Sequence, residues 1–284
     1  MLVPLRVAAI DFLNPAPLMW DFHHPPRQSI LSRRYDLHLT VPSQCAAQLL
    51  AGEADLGLIP IAALTPDLAI VPNCTIASLQ KVRSIQLVVK SPLKLGDVKT
   101  VAADTASRSS AAYAEVIFRH FLHTDPAFVK APADLPAMLK TADAALLIGD
   151  PALLALERRE QIEQQTGPCT WYDLAELWHT HTGLPWVAAV WAVCPSAVPT
   201  TEERQQLIDD LTRSRDHGLT HIESLVTEWT PRLALPSGTI RTYLTQNIHY
   251  RLDDRCIEAM QLFRTLAAAT DVLPPLPTLP FLRS

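Results

Sequence analysis

From residue 5 to residue 194 the chain alternates short apolar runs with segments of helical period, and it does so twice over. Such alternation builds βαβ units, in which parallel strands are covered by the helices that connect them. In the first series, strands are predicted at 5–10, 35–41 and 54–58, with helices at 15–22, 43–51 and from Pro60 onward. The stretch 71–90 breaks the rhythm with two β segments and little between them. After a turn at 91–96 the second series runs through strands at 100–103, 127–130 and 144–148. Its helices are expected at 107–122, at 133–140 and after Asp150-Pro151. Residues 173–182 read as a helix stopped by Gly183, and 186–194 as a buried strand. Beyond Thr201 the pattern is helical only, at 201–227, 238–246 and 253–269. Residues 273–284 hold four prolines, which leaves open whether this tail is ordered.

Breaks near 91–96 and 194–200 divide the chain into two lobes. The first is expected to take 1–91 together with 195–284, including the terminal helices, and the second 92–194. Two connections between two lobes make a hinge with a ligand cleft. A single doubly wound sheet is the competing architecture.

Composition narrows the function. At 284 residues, 48% hydrophobic and 19% charged, the chain is a globular protein of about two domains. It has 8 glycines against 24 prolines, and no two glycines lie close enough for G-x-G-x-x-G. Gly52 and Gly57 have the spacing of a phosphate-binding loop, but Leu58 follows where lysine is needed. A net charge of −5 and the lack of any basic run longer than Arg33-Arg34 argue against nucleic acid. No stretch approaches 18 uncharged apolar residues, so no membrane span is expected. The first ten residues enter a strand pattern directly, which suggests a cytoplasmic protein. Five scattered cysteines (45, 74, 169, 194 and 256) suggest reduced thiols rather than a disulfide or zinc framework.

Several polar residues stand where strands give way to helices. Asn14 and Asp150 each precede a proline, and both suit helix capping. They equally suit an anion site, because helix N-termini offer unbonded amides. Ser107, Arg108, Ser109 and Ser110 open a long helix and could hold a carboxylate; the plainer reading is a Ser107 cap with Ser109 and Ser110 solvated. Ser43 follows Pro42 at another helix start, and Ser84 lies within a β segment. The histidine pairs 179/181 and 217/221 read as solvated helix faces, since no glutamate accompanies them as in H-E-x-x-H. The residues alone thus describe a hinged binder of small anions.

Several segments, taken together, resemble the chorismate dehydratases of the futalosine route to menaquinone. They are Asp11-Phe-Leu-Asn-Pro-Ala-Pro-Leu18, Pro42-Ser43 with Leu50 through Pro60, Val82-Arg-Ser-Ile85, Ser107-Arg-Ser-Ser110 and Leu147-Ile-Gly-Asp-Pro-Ala152. The most specific is Tyr172-Asp-Leu-Ala-Glu-Leu-Trp178 with Thr182-Gly-Leu-Pro185 and Ala189-Val-Trp191, and matching pieces continue to Leu252. Phe12 departs from the usual tyrosine, Ser109 from a common threonine, and 21–34 is longer or more variable than the pattern. The sister enzyme, 1,4-dihydroxy-6-naphthoate synthase, opens with Cys-Pro-Asn-Asp, which is absent here.

The resemblance implies an α/β, two-lobed type II periplasmic-binding-protein-like fold with a hinge and an interlobe cleft. It implies a lyase that dehydrates chorismate, a dicarboxylate, to 3-[(1-carboxyvinyl)oxy]benzoate without metal or cofactor. Asn14 and Ser84 would then be catalytic; Ser107, Arg108, Ser109 and Ser110 would bind carboxylate; Ser43 and Asp150 would stand at the rim. The substrate's own enolpyruvyl carboxylate would serve as the base. A non-catalytic cytoplasmic binding protein for a small carboxylate, and the sister enzyme, are the alternatives.

Overall fold

The computed structural model describes residues 4–283 and arranges their strands in two sheets. The first is built from β1 (Leu5–Ile10), β2 (Tyr35–Thr40), β3 (Leu56–Pro60) and β4 (Ala69–Ser78). The second takes β5 (Ile85–Lys90), β6 (Thr100–Asp104), β7 (Ala127–Ala131), β8 (Ala144–Ile148) and β9 (Cys169–Asp173). The chain then returns to the first sheet with β10 (Trp186–Val193) and β11 (His249–Leu252). The orders are β11-β4-β10-β3-β1-β2 and β7-β6-β8-β5-β9. In each sheet one strand has parallel partners on both sides, β1 between β2 and β3, and β6 between β7 and β8. In each, the strand arriving from the other lobe (β10 or β5) inserts antiparallel to its neighbours.

The helices are α1 (Trp20–His23), α2 (Gln28–Leu31), α3 (Pro42–Leu50), α4 (Ser109–Val116), α5 (Leu135–Thr141) and α6 (Gly149–Glu157). They continue with α7 (Arg159–Thr166), α8 (Leu174–Thr182), α9 (Thr201–Thr220), α10 (Ile222–Leu233), α11 (Ser237–Thr242) and α12 (Asp254–Ala269). Local chemistry sets many of these boundaries. Thr200 and Glu203 form a reciprocal capping box at the start of α9. Gly183, at φ +70°, ends α8 in the left-handed conformation. Buried runs become inner strands: all five residues of β3 (LGLIP) and of β8 (AALLI) are buried.

The chain crosses between sheets at 79–84 and 174–185, not at 91–96 and 194–200 as the linker reading expects. The segment 91–96 only joins β5 to β6 within the second sheet. β5 and β10 are buried on both faces, and such a strand carries no periodicity that says which sheet it joins. The expected helix 201–227 is two, α9 and α10, interrupted at His221. β9, α7 and β11 were not foreseen. α9 packs on β4 and on the 3-10 turn Ala16–Met19. α12 instead straddles both lobes: Phe263 stacks on Tyr113 of α4, with ring centroids 3.9 Å apart. The tail is ordered, with Ile70 N–H donating to Pro280 O and Leu282 N–H to Ile70 O. All five cysteines are free, and no helix among the described residues is long and apolar enough to cross a membrane.

Candidate active site

In α/β sheets the carboxyl ends of the strands, where the strand order reverses, are the usual ligand position. Here those ends face each other. The segments after β1, β2, β3, β6 and β8 meet around one cavity lined by Asn14, Pro42, Pro60, Ser84, Arg108, Ser109, Ser110, Gly149 and Trp186, among others. Its volume is about 40 Å³, room for about one water. Pockets for drug-sized ligands start at roughly 300 Å³. Hydrogen bonds join the lobes around it, from the Leu13 N–H to Asp150 Oδ1 and from Ser109 Oγ to Ala188 O, so the cavity is narrow as the lobes stand.

Asn14 comes from the loop after β1. Its side chain does not cap the turn that follows; Pro15 stands at that position. The Asn14 carbonyl oxygen is buried without a hydrogen-bond partner, and so is the indole Nε1 of Trp186. Buried polar atoms are nearly always paired, and both of these belong to residues of the cavity lining. The loop is held from the other lobe: Asp150 Oδ1 accepts the Leu13 N–H at 2.9 Å. Asp150 thus reaches across to the Asn14 loop instead of capping α6, whose cap position is Ile148.

Burial pushes the Asp150 carboxyl up to about 6, against the pull of the Leu13 N–H and of Arg232. The protonated form therefore suits the fold. Its stabilising contribution is complete below about pH 4 and is lost as pH rises through about 6. Asp150→Asn keeps an acceptor for Leu13 and removes the charge. Between pH 4 and 7.5, wild type should lose roughly 3 kcal/mol relative to this variant in urea unfolding, two pKa units at about 1.4 kcal/mol each. Parallel pH profiles for the two proteins would contradict this.

Ser84 is presented by the first crossover. Arg83 has φ +61°, and the Ser84 N–H donates to Val82 O at 2.7 Å, a γ-type turn that strains a non-glycine residue. Asp173 braces it. Its carboxylate accepts the Arg83 N–H at 2.7 Å and the Val82 N–H at 3.3 Å while capping α8 through Ala175 and Glu176. Behind Ser84, the Tyr243 phenol donates to Ser84 Oγ at 2.8 Å. In front, the Gly149 N–H donates to Ser84 O at 2.7 Å.

The four residues that open the α4 segment have separate tasks. Ser107 Oγ accepts the Ala111 N–H at 3.1 Å from one residue ahead of the cap position, Arg108, and it lies outside the cavity lining. Ser109 and Ser110 are buried and line the cavity, where the solvated-face reading had them exposed. Ser109 Oγ donates to Ala188 O at 2.8 Å and accepts the Ala62 N–H at 3.3 Å, tying the second lobe to β10 and β3's following turn. Arg108 is exposed at the cavity edge and is the one charged residue among the described lining. Ser43 is half-buried in α3 outside the lining, where Pro42 takes the wall position. The structure thus gathers Asn14, Ser84, Arg108, Ser109 and Ser110, with Asp150 behind them and Ser43 and Ser107 aside.

Sequence reasoning missed Tyr243, Asp173 and Gly149. The latter two lie within segments quoted for the resemblance; Tyr243 lies in none, and only tertiary folding brings it to Ser84. The histidines 217 and 221 are not simply solvated. His217 Nδ1 meets the buried Asp21 at 2.8 Å, and the His221 ring stacks on Trp20 at 4.4 Å.

This architecture, two mixed sheets of matching strand order closing on a cavity, is the periplasmic-binding-protein fold. A Candida albicans protein described as having that generic fold superposes with TM-score 0.67 at 12% identity, over 97% of this chain and 92% of its own. A protein of Archaeoglobus fulgidus gives TM-score 0.75 at 14% identity, over 95% and 98%. The alkanesulfonate-binding protein of Xanthomonas axonopodis pv. citri, bound to MOPS, gives 0.69 at 19%, over 98% and 96%. A family model described as menaquinone biosynthesis matches residues 5–269, and the chain belongs to that family. Chorismate dehydratase of Thermus thermophilus is 28% identical over 254 residues, 86% of this chain and 88% of that protein.

Proposed function

We propose that the cavity binds chorismate and eliminates water from it, releasing 3-[(1-carboxyvinyl)oxy]benzoate for menaquinone biosynthesis. One observation carries this reading: Asn14 and Ser84 stand in a closed cavity whose described lining holds amide, hydroxyl and indole groups and Arg108, but no carboxylate or imidazole. Such a site orients and desolvates; it has no strong base of its own. Chorismate needs little more. Loss of the ring hydroxyl and of the hydrogen on the neighbouring ether-bearing carbon makes the ring aromatic, and the enolpyruvyl carboxylate on that carbon can take the proton. The Asn14 carbonyl and the Ser84 hydroxyl then hold the departing hydroxyl, while Arg108 and the first turn of α4 meet a carboxylate. The relative named chorismate dehydratase supports the same assignment. We propose, on the same reading, that it acts in the cytoplasm.

The test is incubation of the purified protein with chorismate, followed by chromatography and mass analysis for the aromatic ether. Wild type should convert it, and Asn14→Ala should lower kcat by about 10²-fold or more. Full turnover by Asn14→Ala would remove Asn14 from the mechanism. Tight binding without product would make the protein a carboxylate binder, and turnover of cyclic dehypoxanthine futalosine would make it the sister enzyme.

A further inference from the structure

We infer that Tyr243 is a positioning residue for Ser84: its phenol occupies one acceptor lone pair of the serine and so directs the serine's own proton into the cavity. A hydroxyl has one hydrogen to give and two lone pairs to fill. With the Tyr243 O–H donating to Ser84 Oγ at 2.8 Å, that lone pair is spent, and the serine hydrogen is turned away from the phenol. Ser84 lines the cavity and Tyr243 does not, so the tyrosine reaches a ligand only through the serine.

Three further features make this arrangement a fixed one. Tyr243 is 1% exposed, and burial holds its phenol far above the ordinary value, so it remains a donor at every working pH. It opens the π-helical turn Tyr243–Asn247, a local departure from α geometry that often accompanies function. From the other end of that turn, Asn247 Nδ2 donates to Lys81 O at 3.1 Å, so one element grips the strained crossover at two points. The serine is thereby set as a donor, suited to an oxygen that gains negative charge as it leaves.

This inference rests on the reading of the cavity as a chorismate site, and the experiment separates the two. Wild type, Tyr243→Phe, Ser84→Ala and the double variant are compared on chorismate, with melting temperatures alongside. Phenylalanine keeps the buried ring, so the fold should persist. Tyr243→Phe should lower kcat by about 10-fold or more while KM moves less than about 2-fold. In the Ser84→Ala background the same change should cost nothing further, because its target is gone. An unchanged kcat in Tyr243→Phe, or an equal loss with and without Ser84, would overturn the inference while leaving the function standing. If wild type makes no product, the functional reading fails by itself, and the same four proteins are titrated with 3-[(1-carboxyvinyl)oxy]benzoate. Loss of affinity in Tyr243→Phe only when Ser84 is present supports the positioning role, and any other pattern, including no binding, overturns it.

Discussion

Gly218→Ala should leave little folded protein. A Cβ at residue 218 would overlap the Pro17 carbonyl oxygen and lie 2.6 Å from its carbon and Cα. These are backbone atoms, so no rotamer change relieves the clash; α9 must back away from the turn Ala16–Met19. That separation would break the bonds of Ser214, whose hydroxyl donates to Leu18 O at 2.7 Å and accepts the Asp21 N–H at 3.0 Å. It would also pull His217 from the buried Asp21, leaving that carboxylate with only the Arg27 guanidinium, 3.6 Å away. Overpacking together with unmade buried hydrogen bonds should cost roughly 4 kcal/mol or more, against a typical total of about 5–15 kcal/mol. Soluble yield and the urea midpoint are the measurements. Gly238→Ala is the control, since nothing lies within 4 Å of its added Cβ, and it should stay within about 1 kcal/mol of wild type. A wild-type midpoint for Gly218→Ala would mean that α9 does not lie this close to the turn that follows Asn14.

That contact shows where reading the chain ends. Alternating runs were enough for the βαβ series, because a buried parallel strand leaves a short continuous apolar run and its covering helix leaves a 3.6-residue period. The crossing points were not legible. β5 and β10 are continuous apolar runs, and an inner strand looks the same in either sheet until hydrogen bonds choose its partners. β11 is only four residues long and is defined by its pairing with β4, which no local pattern predicts.

The site divides along the same line. Asn14, Arg108, Ser109 and Ser110 follow strand ends, and that position is visible in one dimension. Ser84 was singled out by resemblance; what makes it special is the positive φ of Arg83, fixed by a carboxylate 90 residues away at Asp173. The capping readings of Asn14 and Asp150 were locally sound and failed for a tertiary reason. The Leu13 amide of the other lobe outbids the helix end for the Asp150 carboxyl, and Asn14 lines the cavity between the lobes. Ser109 likewise spends its hydroxyl on the other lobe, where it bonds Ala188 O and the Ala62 N–H.

Gly149→Ala should damage ligand binding more than stability, the reverse of Gly218→Ala. Gly149 sits at φ +64°, where an alanine costs about 1–2 kcal/mol in the backbone alone. Its added Cβ would fall 2.5 Å from Cε2 and 2.6 Å from Cδ2 of Phe12. Phe12 is a side chain and can swing, so the fold has an escape that Gly218 lacks. The escape goes the wrong way for function. Phe12 lines the closed cavity and also a neighbouring hollow of about 300 Å³ bounded by Asp11, His24 and Arg232, so it is the wall between them. Displacing it alters the mouth of a cavity with no space to spare and shifts the loop that carries Asn14. The Gly149 N–H also holds Ser84 O, and a strained backbone there loosens that bond. We expect a melting temperature lower by several degrees, at roughly 2–4 °C per kcal/mol, and a loss of turnover of about 10²-fold or more. Adding Phe12→Ala should relieve the steric part and recover some affinity while leaving the backbone cost, so the double variant should bind better than Gly149→Ala without melting higher than wild type. If Phe12→Ala recovers nothing, the ring is not what the alanine pushes, and the φ preference of Gly149 accounts for the whole effect.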